Sequence, residues 1–245
     1  MKIFIDSANL TDLEEALKRG FAHGITTNPS LLAKEPKSSF EEHVGKIVEL
    51  IKKYQPGIHL SIEVFSRDQQ EILEQAQRFM HQFAYPRMGV KVHIGWNELE
   101  TIKKLSTLGI TVNCTACMTV TQAVMAARAG AKYVSLFWAR IRDAGKDEQF
   151  TAEREALEAR GVLDASDYDP ALVVRTVRDI FERSHIESEI ITGSMRSVLD
   201  IRDAARAGAH IVTIPPKFFK DMTSHYKTEQ VVNQFISDFQ TWMTV

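Results

Sequence analysis

The chain has 245 residues, a length that fits either one α/β barrel of ~250 residues or two smaller domains. Apolar residues make up 44% and charged residues 25%, which excludes a disordered chain. Thirty Lys and Arg against 32 Asp and Glu leave a net charge of −2, so there is no bulk basic field for nucleic acid or an anionic membrane. Any anion must be held by a few placed residues.

No apolar run approaches the ~20 residues of a membrane span. The first residues reach an acid at Asp6 before a secretory apolar segment can form, so a cytoplasmic protein is expected. The two cysteines, Cys114 and Cys117, are too few for a disulfide framework or a four-ligand zinc site. They lie in an apolar run, where buried structural thiols are the commoner case. There is no GxGxxG, no P-loop and no HExxH, so nucleotide and metal sites have no support.

Short β-rich runs alternate with amphipathic ones. Strands are expected at 2–6, 24–28, 60–65, 89–94, 111–116, 133–138, 189–194 and 210–214. Helices are expected from Asn9 or Thr11 to Lys18 and at 40–54, 67–83, 97–108 and 119–129. Two more are expected near 151–160 and 170–184, and the last two at 197–207 and 228–243. The strands are continuous apolar runs, the pattern of a parallel sheet buried on both faces. Eight βα units without a linker predict one domain, a single (β/α)8 TIM barrel, with an open doubly wound sheet as the alternative. In the Arg-Ala-Gly-Ala repeats at 128–131 and 206–209, glycine ends a helix before the next strand.

The informative residues are polar ones in these apolar strands. Asp6, Thr27, Asn28, Glu63, Lys91, Asn113, Thr115, Ser135 and Ser194 lie in seven of the eight runs, and Arg140 and Arg196 follow two of them. Most fall at or near strand C-termini, the end where barrel enzymes place catalytic groups. Lys91, in Gly89-Val90-Lys91-Val92-His93-Ile94, stands out. A buried lysine is either an ion-paired structural residue, with Glu63 or Asp6 as partner, or an amine made nucleophilic by desolvation. Asp6 and Glu63 suit the proton transfers of imine chemistry. Arg140, Ser194 and Arg196 suit an anion clamp, although either arginine alone reads more readily as a surface ion pair. His93 shares the face of Lys91 and either tunes it or packs.

Together these segments resemble the transaldolase family, in particular its short members that include fructose-6-phosphate aldolases. The similarity rests on Phe4-Ile5-Asp6-Ser7-Ala8-Asn9, Gly24-Ile25-Thr26-Thr27-Asn28-Pro29-Ser30, Val90-Lys91-Val92, Ser135-Leu136-Phe137-Trp138-Ala139-Arg140-Ile141 and Gly193-Ser194-Met195-Arg196. It runs nearly the whole length. The resemblance implies cofactor-free chemistry of the kind found in the pentose phosphate pathway. Lys91 forms an imine with the C2 carbonyl of a ketose. Asp6 takes the C4 hydroxyl proton, and Glu63, through a water held by Thr115, moves protons. Thr27, Asn28, Asn113, Ser135 and Phe137 surround the three-carbon unit. Arg140, Ser194 and Arg196 bind the terminal anion.

Glu63 and Phe137 match transaldolases, where the aldolase subgroup has glutamine and tyrosine. The resemblance therefore implies transfer of dihydroxyacetone from a ketose phosphate to an aldehyde such as glyceraldehyde 3-phosphate. Release of free dihydroxyacetone is the alternative, and a non-catalytic sugar-phosphate-binding barrel is the rival of a different class. Two features depart from the family: the lysine strand continues His93-Ile94-Gly95, and the 142–184 stretch is long and charged. That stretch reads as a solvated surface segment or a lid, and a changed rim allows a 6-sulfonate ketose. A stripe such as Val231, Val232, Phe235, Ile236, Phe239 and Trp242 more often packs on its own barrel, but the resemblance implies that helix 228–243 packs on a neighbouring subunit, in a pentamer or decamer.

Overall fold

A computed structural model describes residues 1–244. Eight parallel strands close into a barrel in chain order, β1 Lys2–Asp6, β2 Gly24–Thr26, β3 His59–Glu63, β4 Met88–His93, β5 Val112–Cys117, β6 Tyr133–Phe137, β7 Glu189–Gly193 and β8 Ile211–Ile214. β1 pairs with both β2 and β8, which closes the ring and leaves no sheet edge. The doubly wound alternative is thereby excluded, and the (β/α)8 barrel stands as one domain. No helix of the described residues is long and apolar enough to cross a membrane.

The outer ring is α1 Leu10–Leu17, α2 Pro29–Leu32, α3 Phe40–Tyr54, α4 Gln69–Phe83, α5 Trp96–Thr107, α6 Val120–Ala129, α7 Trp138–Ala144, α8 Thr151–Ala159, α9 Pro170–Arg183, α10 Val198–Arg206, α11 Phe219–Thr223 and α12 Tyr226–Met243. Cap chemistry fixes the starts. Asn9, Ser39 and Asp68 accept the backbone N–H three residues on, and Thr119 and Gln122 form a reciprocal capping box. α1 ends at Leu17, one residue before the expected Lys18, and α4 starts at Gln69 because Asp68 is its cap. Three short helices were not expected. α2 begins right after its Asn28 cap, α7 follows β6 with no intervening residue, and α11 follows a 3-10 turn at Pro216–Phe218.

The main core lies between barrel and helices, with Ile5, Ile25, Leu60, Ile62, Val90, Val92, Val134 and Leu136 facing outward into it. A second, smaller cluster of Phe4, Tyr133, Ile191 and Ile211 fills the N-terminal part of the barrel interior. Phe4 stacks on His59 with centroids 5.6 Å apart, and His59 lies 4.8 Å from Tyr133. Two glycines make room for this floor. A Cβ on Gly24 would come within 2.7 Å of the Phe4 ring, and one on Gly89 within 2.8 Å of His59 Cε1. The floor closes the barrel below, so the chemistry is confined to the C-terminal mouth.

The 142–184 stretch forms the end of α7, a 3-10 turn at Glu148–Phe150, α8, a second turn at Ala165–Tyr168 and α9. α8 buries no residue. α12 differs from every other helix: each of its residues is exposed, including Phe235, Ile236, Phe239 and Trp242.

Candidate active site

Above the floor, a cavity of about 410 Å³ opens at the C-terminal mouth, lined by residues that include Asp6, Asn28, Glu63, Lys91, Thr115, Ser135, Phe137, Arg140 and Ser194. Nine of the twelve residues singled out in the sequence thus meet in one space. A larger cavity, about 680 Å³, opens at the opposite end among Lys2, Arg87, Arg128 and Lys132. It contains none of the twelve, so the chemistry is assigned to the smaller one.

Strand register puts the central charges together. Lys91 is paired with Glu63 on one side and Asn113 on the other. The lysine is 5% exposed, with Nζ 2.7 Å from Glu63 Oε2 and donating to the Thr27 carbonyl at 2.8 Å. Two acceptors hold the amine at the base of the pocket and leave its third valence for a ligand. Thr27 therefore serves through its backbone, while its hydroxyl donates to the Ser61 carbonyl at 3.4 Å.

Asp6 lies on β1 across the barrel. Burial pushes its pKa up, against the opposing pull of the Lys91 charge and the Thr26 hydroxyl bond. The Thr26 hydroxyl donates to Asp6 Oδ1 at 2.9 Å and lies 2.5 Å from Thr213 Oγ1. Thr26 has one proton and spends it on Asp6, so Thr213 donates to Thr26. A deeply buried carboxyl with a raised pKa is a natural proton acceptor.

Thr115 Oγ1 is buried and has no hydrogen-bond partner among the described residues. It stands on a distorted piece of β5. Ala116 has φ 61°, and the pairing with β6 shifts register between Cys114 and Cys117. Ser194, just past β7, also has φ 61°. Left-handed backbone at two non-glycine residues on one rim marks a place where geometry is held against local preference. Cys114 and Cys117 are free, buried thiols 3.9 Å apart, and the pKa of Cys114 is raised well above its ordinary value, chiefly by its contact with Cys117 and by burial.

The polar rim is partly preorganised. Asn28 Oδ1 caps α2 through Leu31 N at 3.0 Å, which leaves its amide donors for a ligand. Ser135 Oγ donates to Asn113 Oδ1 at 2.7 Å. Asn113 itself is fully buried beneath the pocket wall. The Arg140 guanidinium lies 5.8 Å from the Phe137 ring centroid and forms no ion pair among the described residues.

Arg196 is not among the lining residues. Its guanidinium pairs with Asp143 at 2.5 Å, and its backbone N–H donates to Asp200, which also holds Arg142 at 2.7 Å. His93 does not line the cavity either, and its Nε2 lies 3.1 Å from Glu98 Oε1. The lining contains no residue of the 142–184 stretch, so no lid from that stretch closes on the pocket here. Sequence reasoning passed over Thr213 and the buried pair His59 and Ser61. The available signal was alternation: His59, Ser61 and Glu63 are the polar members of His-Leu-Ser-Ile-Glu, at spacing two on one face.

Comparison with known proteins agrees with this geometry. The family model "Transaldolase/Fructose-6-phosphate aldolase" matches residues 3–244. A probable transaldolase of Alkaliphilus metalliredigens is 33% identical over 240 residues, covering 98% of each chain. One from Shouchella clausii is 34% identical, over 98% of this chain and 97% of the relative. Probable transaldolase 1 of Listeria monocytogenes is 34% identical, with 98% of each chain covered. Among solved structures, a thiamine phosphate pyrophosphorylase from Pyrococcus furiosus superposes with a TM-score of 0.54 at 11% identity, over 87% of this chain and 85% of that one. That likeness is one of barrel architecture alone. A whole-length family match, relatives above 30% identity and a lysine-centred pocket at the mouth of the barrel lead to one conclusion: the chain belongs to the transaldolase/fructose-6-phosphate aldolase family.

Proposed function

We propose that the protein is a Schiff-base transaldolase that moves a dihydroxyacetone unit from a ketose phosphate, or its 6-sulfonate analogue, to an aldehyde acceptor such as glyceraldehyde 3-phosphate. The observation that carries this reading is a buried lysine at the pocket base with two carboxylates in the same cavity, one of them in direct contact.

Lys91 Nζ attacks the C2 carbonyl, and Glu63 takes up and returns the protons of carbinolamine formation and water loss. The orphan hydroxyl of Thr115 orients that water. Asp6 accepts the C4 hydroxyl proton as the C3–C4 bond breaks. The electron pair passes into the protonated imine, which becomes an enamine, and the aldehyde departs. A new aldehyde is attacked by the enamine, and the steps reverse. Asn28 and Ser135 hold the hydroxyls of the three-carbon unit, with Asn113 supporting Ser135 from behind, while Arg140 and Ser194 receive the anion, joined by Arg196 once it leaves Asp143. Phe137 offers no proton to the enamine, so the intermediate waits for an acceptor rather than leaving as free dihydroxyacetone.

Borohydride reduction in the presence of fructose 6-phosphate tests the class. The expected result is a three-carbon adduct on Lys91, absent in Lys91→Met and lost when an aldehyde acceptor is added before the reductant. No adduct with any ketose makes the barrel a binder only. Steady release of dihydroxyacetone, unaffected by acceptor, makes it an aldolase.

We also propose that α12 packs on a second copy of this chain. Its apolar stripe is exposed along its whole length, more than a lone surface helix tolerates.

A further inference from the structure

β3 points three polar side chains into the barrel, and only Glu63 belongs to the pocket. His59 and Ser61 lie below it, 5% and 0% exposed. They are connected to the pocket wall by an unbroken chain. Ser135 Oγ donates to Asn113 Oδ1 at 2.7 Å, Asn113 Nδ2 donates to Ser61 Oγ at 3.2 Å, and Ser61 Oγ lies 2.7 Å from His59 Nε2.

The direction of each bond follows from the chemistry of its neighbour. An amide nitrogen only donates, so Ser61 Oγ accepts from Asn113. Ser61 Oγ still has its own proton to give, and His59 Nε2 at 2.7 Å is the acceptor within reach, which requires a bare Nε2. The imidazole is neutral, because burial and the Arg87 charge push its pKa down to about 3. The proton of the neutral ring then sits on Nδ1. Phe4 and Tyr133 pack on the ring, and Gly89 leaves the room it occupies.

We propose that His59 and Ser61 are positioning residues that lock the Asn113 amide with its oxygen toward Ser135. With the chain set this way, the Ser135 hydroxyl proton is committed to Asn113 and its lone pairs face the cavity as an acceptor. Reversal of the amide would turn Ser135 from acceptor to donor and mismatch every hydroxyl beside it. A floor histidine thus sets the polarity of the wall above it, through groups so nearly buried that a misdirected hydrogen bond is costly. The kinetic part of this inference rests on the ketose-site reading, but the tautomer does not.

Long-range nitrogen–proton NMR on the full-length protein at neutral pH, without substrate, reads the tautomer. The expected spectrum has a protonated Nδ1 and a bare Nε2 at His59, and a proton on Nε2 overturns the proposal. Kinetics supply the second arm. Ser61→Ala is expected to lower kcat/KM for fructose 6-phosphate about tenfold, the scale of one orphaned buried donor. The double variant Ser61→Ala with Ser135→Ala should then fall within about twofold of Ser135→Ala alone, since both break one chain. Losses that multiply overturn it. If Ser61→Ala does not fold, the pair His59→Gln and His59→Leu decides. Glutamine offers an acceptor oxygen and is expected to retain more activity than leucine, and equal activity overturns the idea. A wild-type protein that forms no adduct with any ketose refutes the functional reading alone and leaves the tautomer measurable.

Discussion

Asp6 carries its proposed role at a cost to the fold. Burial raises its pKa above the unfolded value of about 3.9, so the native state retains a proton that the unfolded chain releases. The contribution of this group is therefore full below about pH 3.9 and declines as pH rises through its native pKa. Asp6→Asn removes the charge and keeps the shape. The expected outcome is a higher unfolding midpoint at pH 7, an advantage that vanishes near pH 4, and lost turnover. Calorimetry at the two pH values checks it; an equal gain at both rules out the charge as the cause. Asp6, Glu63 and Lys91 were legible in the sequence for this same reason, since charge inside an apolar strand has few innocent explanations. Arg196 was not legible as a residue set apart from the cavity. Its partner Asp143 lies on α7, a helix the sequence did not announce, and nothing local distinguishes a paired surface arginine from a ligand-facing one.

Among the elements, β5 repays attention because it is irregular. The shift in register between Cys114 and Cys117 and the left-handed Ala116 place Thr115 against the cavity while the two thiols face away from water. A β-branched residue in left-handed backbone is strained by at least ~1–2 kcal/mol. Ala116→Val should thus lower the midpoint by several degrees, at ~2–4 °C per kcal/mol for a chain of this size, and lower kcat more than a surface change of equal stability cost. Thermal melts beside steady-state rates test this; unchanged kcat shows that the bulge is structural only. The strand sequence gave no hint of it, because alanine is ordinary in a strand and the strain exists only in the closed barrel. The eight strands themselves were legible as apolar runs bounded by turns. α2 and α7 were hidden for opposite reasons. α2 has its signals, Asn28 and Pro29, but is one turn long, whereas α7 begins on Trp138 with no side-chain cap at all.

On the scale of the whole molecule, the barrel is finished and α12 is not. Every other long helix except α8 buries a face, yet Val231, Phe235, Ile236, Phe239 and Trp242 meet only solvent in a single chain. Sedimentation is expected to give a mass several times that of one chain. Phe235→Glu with Phe239→Glu should return it to one chain while the Lys91 adduct still forms, because α12 contributes nothing to the lining. A wild-type protein sedimenting as one chain refutes the packing proposal. The stripe was visible in the sequence, but its exposure was not: helical spacing reports that a face is apolar and says nothing of what it meets.

The ion pair between Arg196 and Asp143 has a thermodynamic consequence at the rim. An anion that recruits Arg196 must evict a carboxylate first, so binding is an exchange of counterions. Its enthalpy is a small difference between two similar attractions, and dissolved salt weakens both sides alike. Affinity for a phosphorylated ligand should then vary little with ionic strength. Asp143→Asn breaks this compensation, and titration calorimetry from low to high salt should show tighter binding with a steeper salt dependence. The carboxylate would then be the element that keeps the site selective for a ligand with a whole sugar to offer, over the bare phosphate that surrounds it.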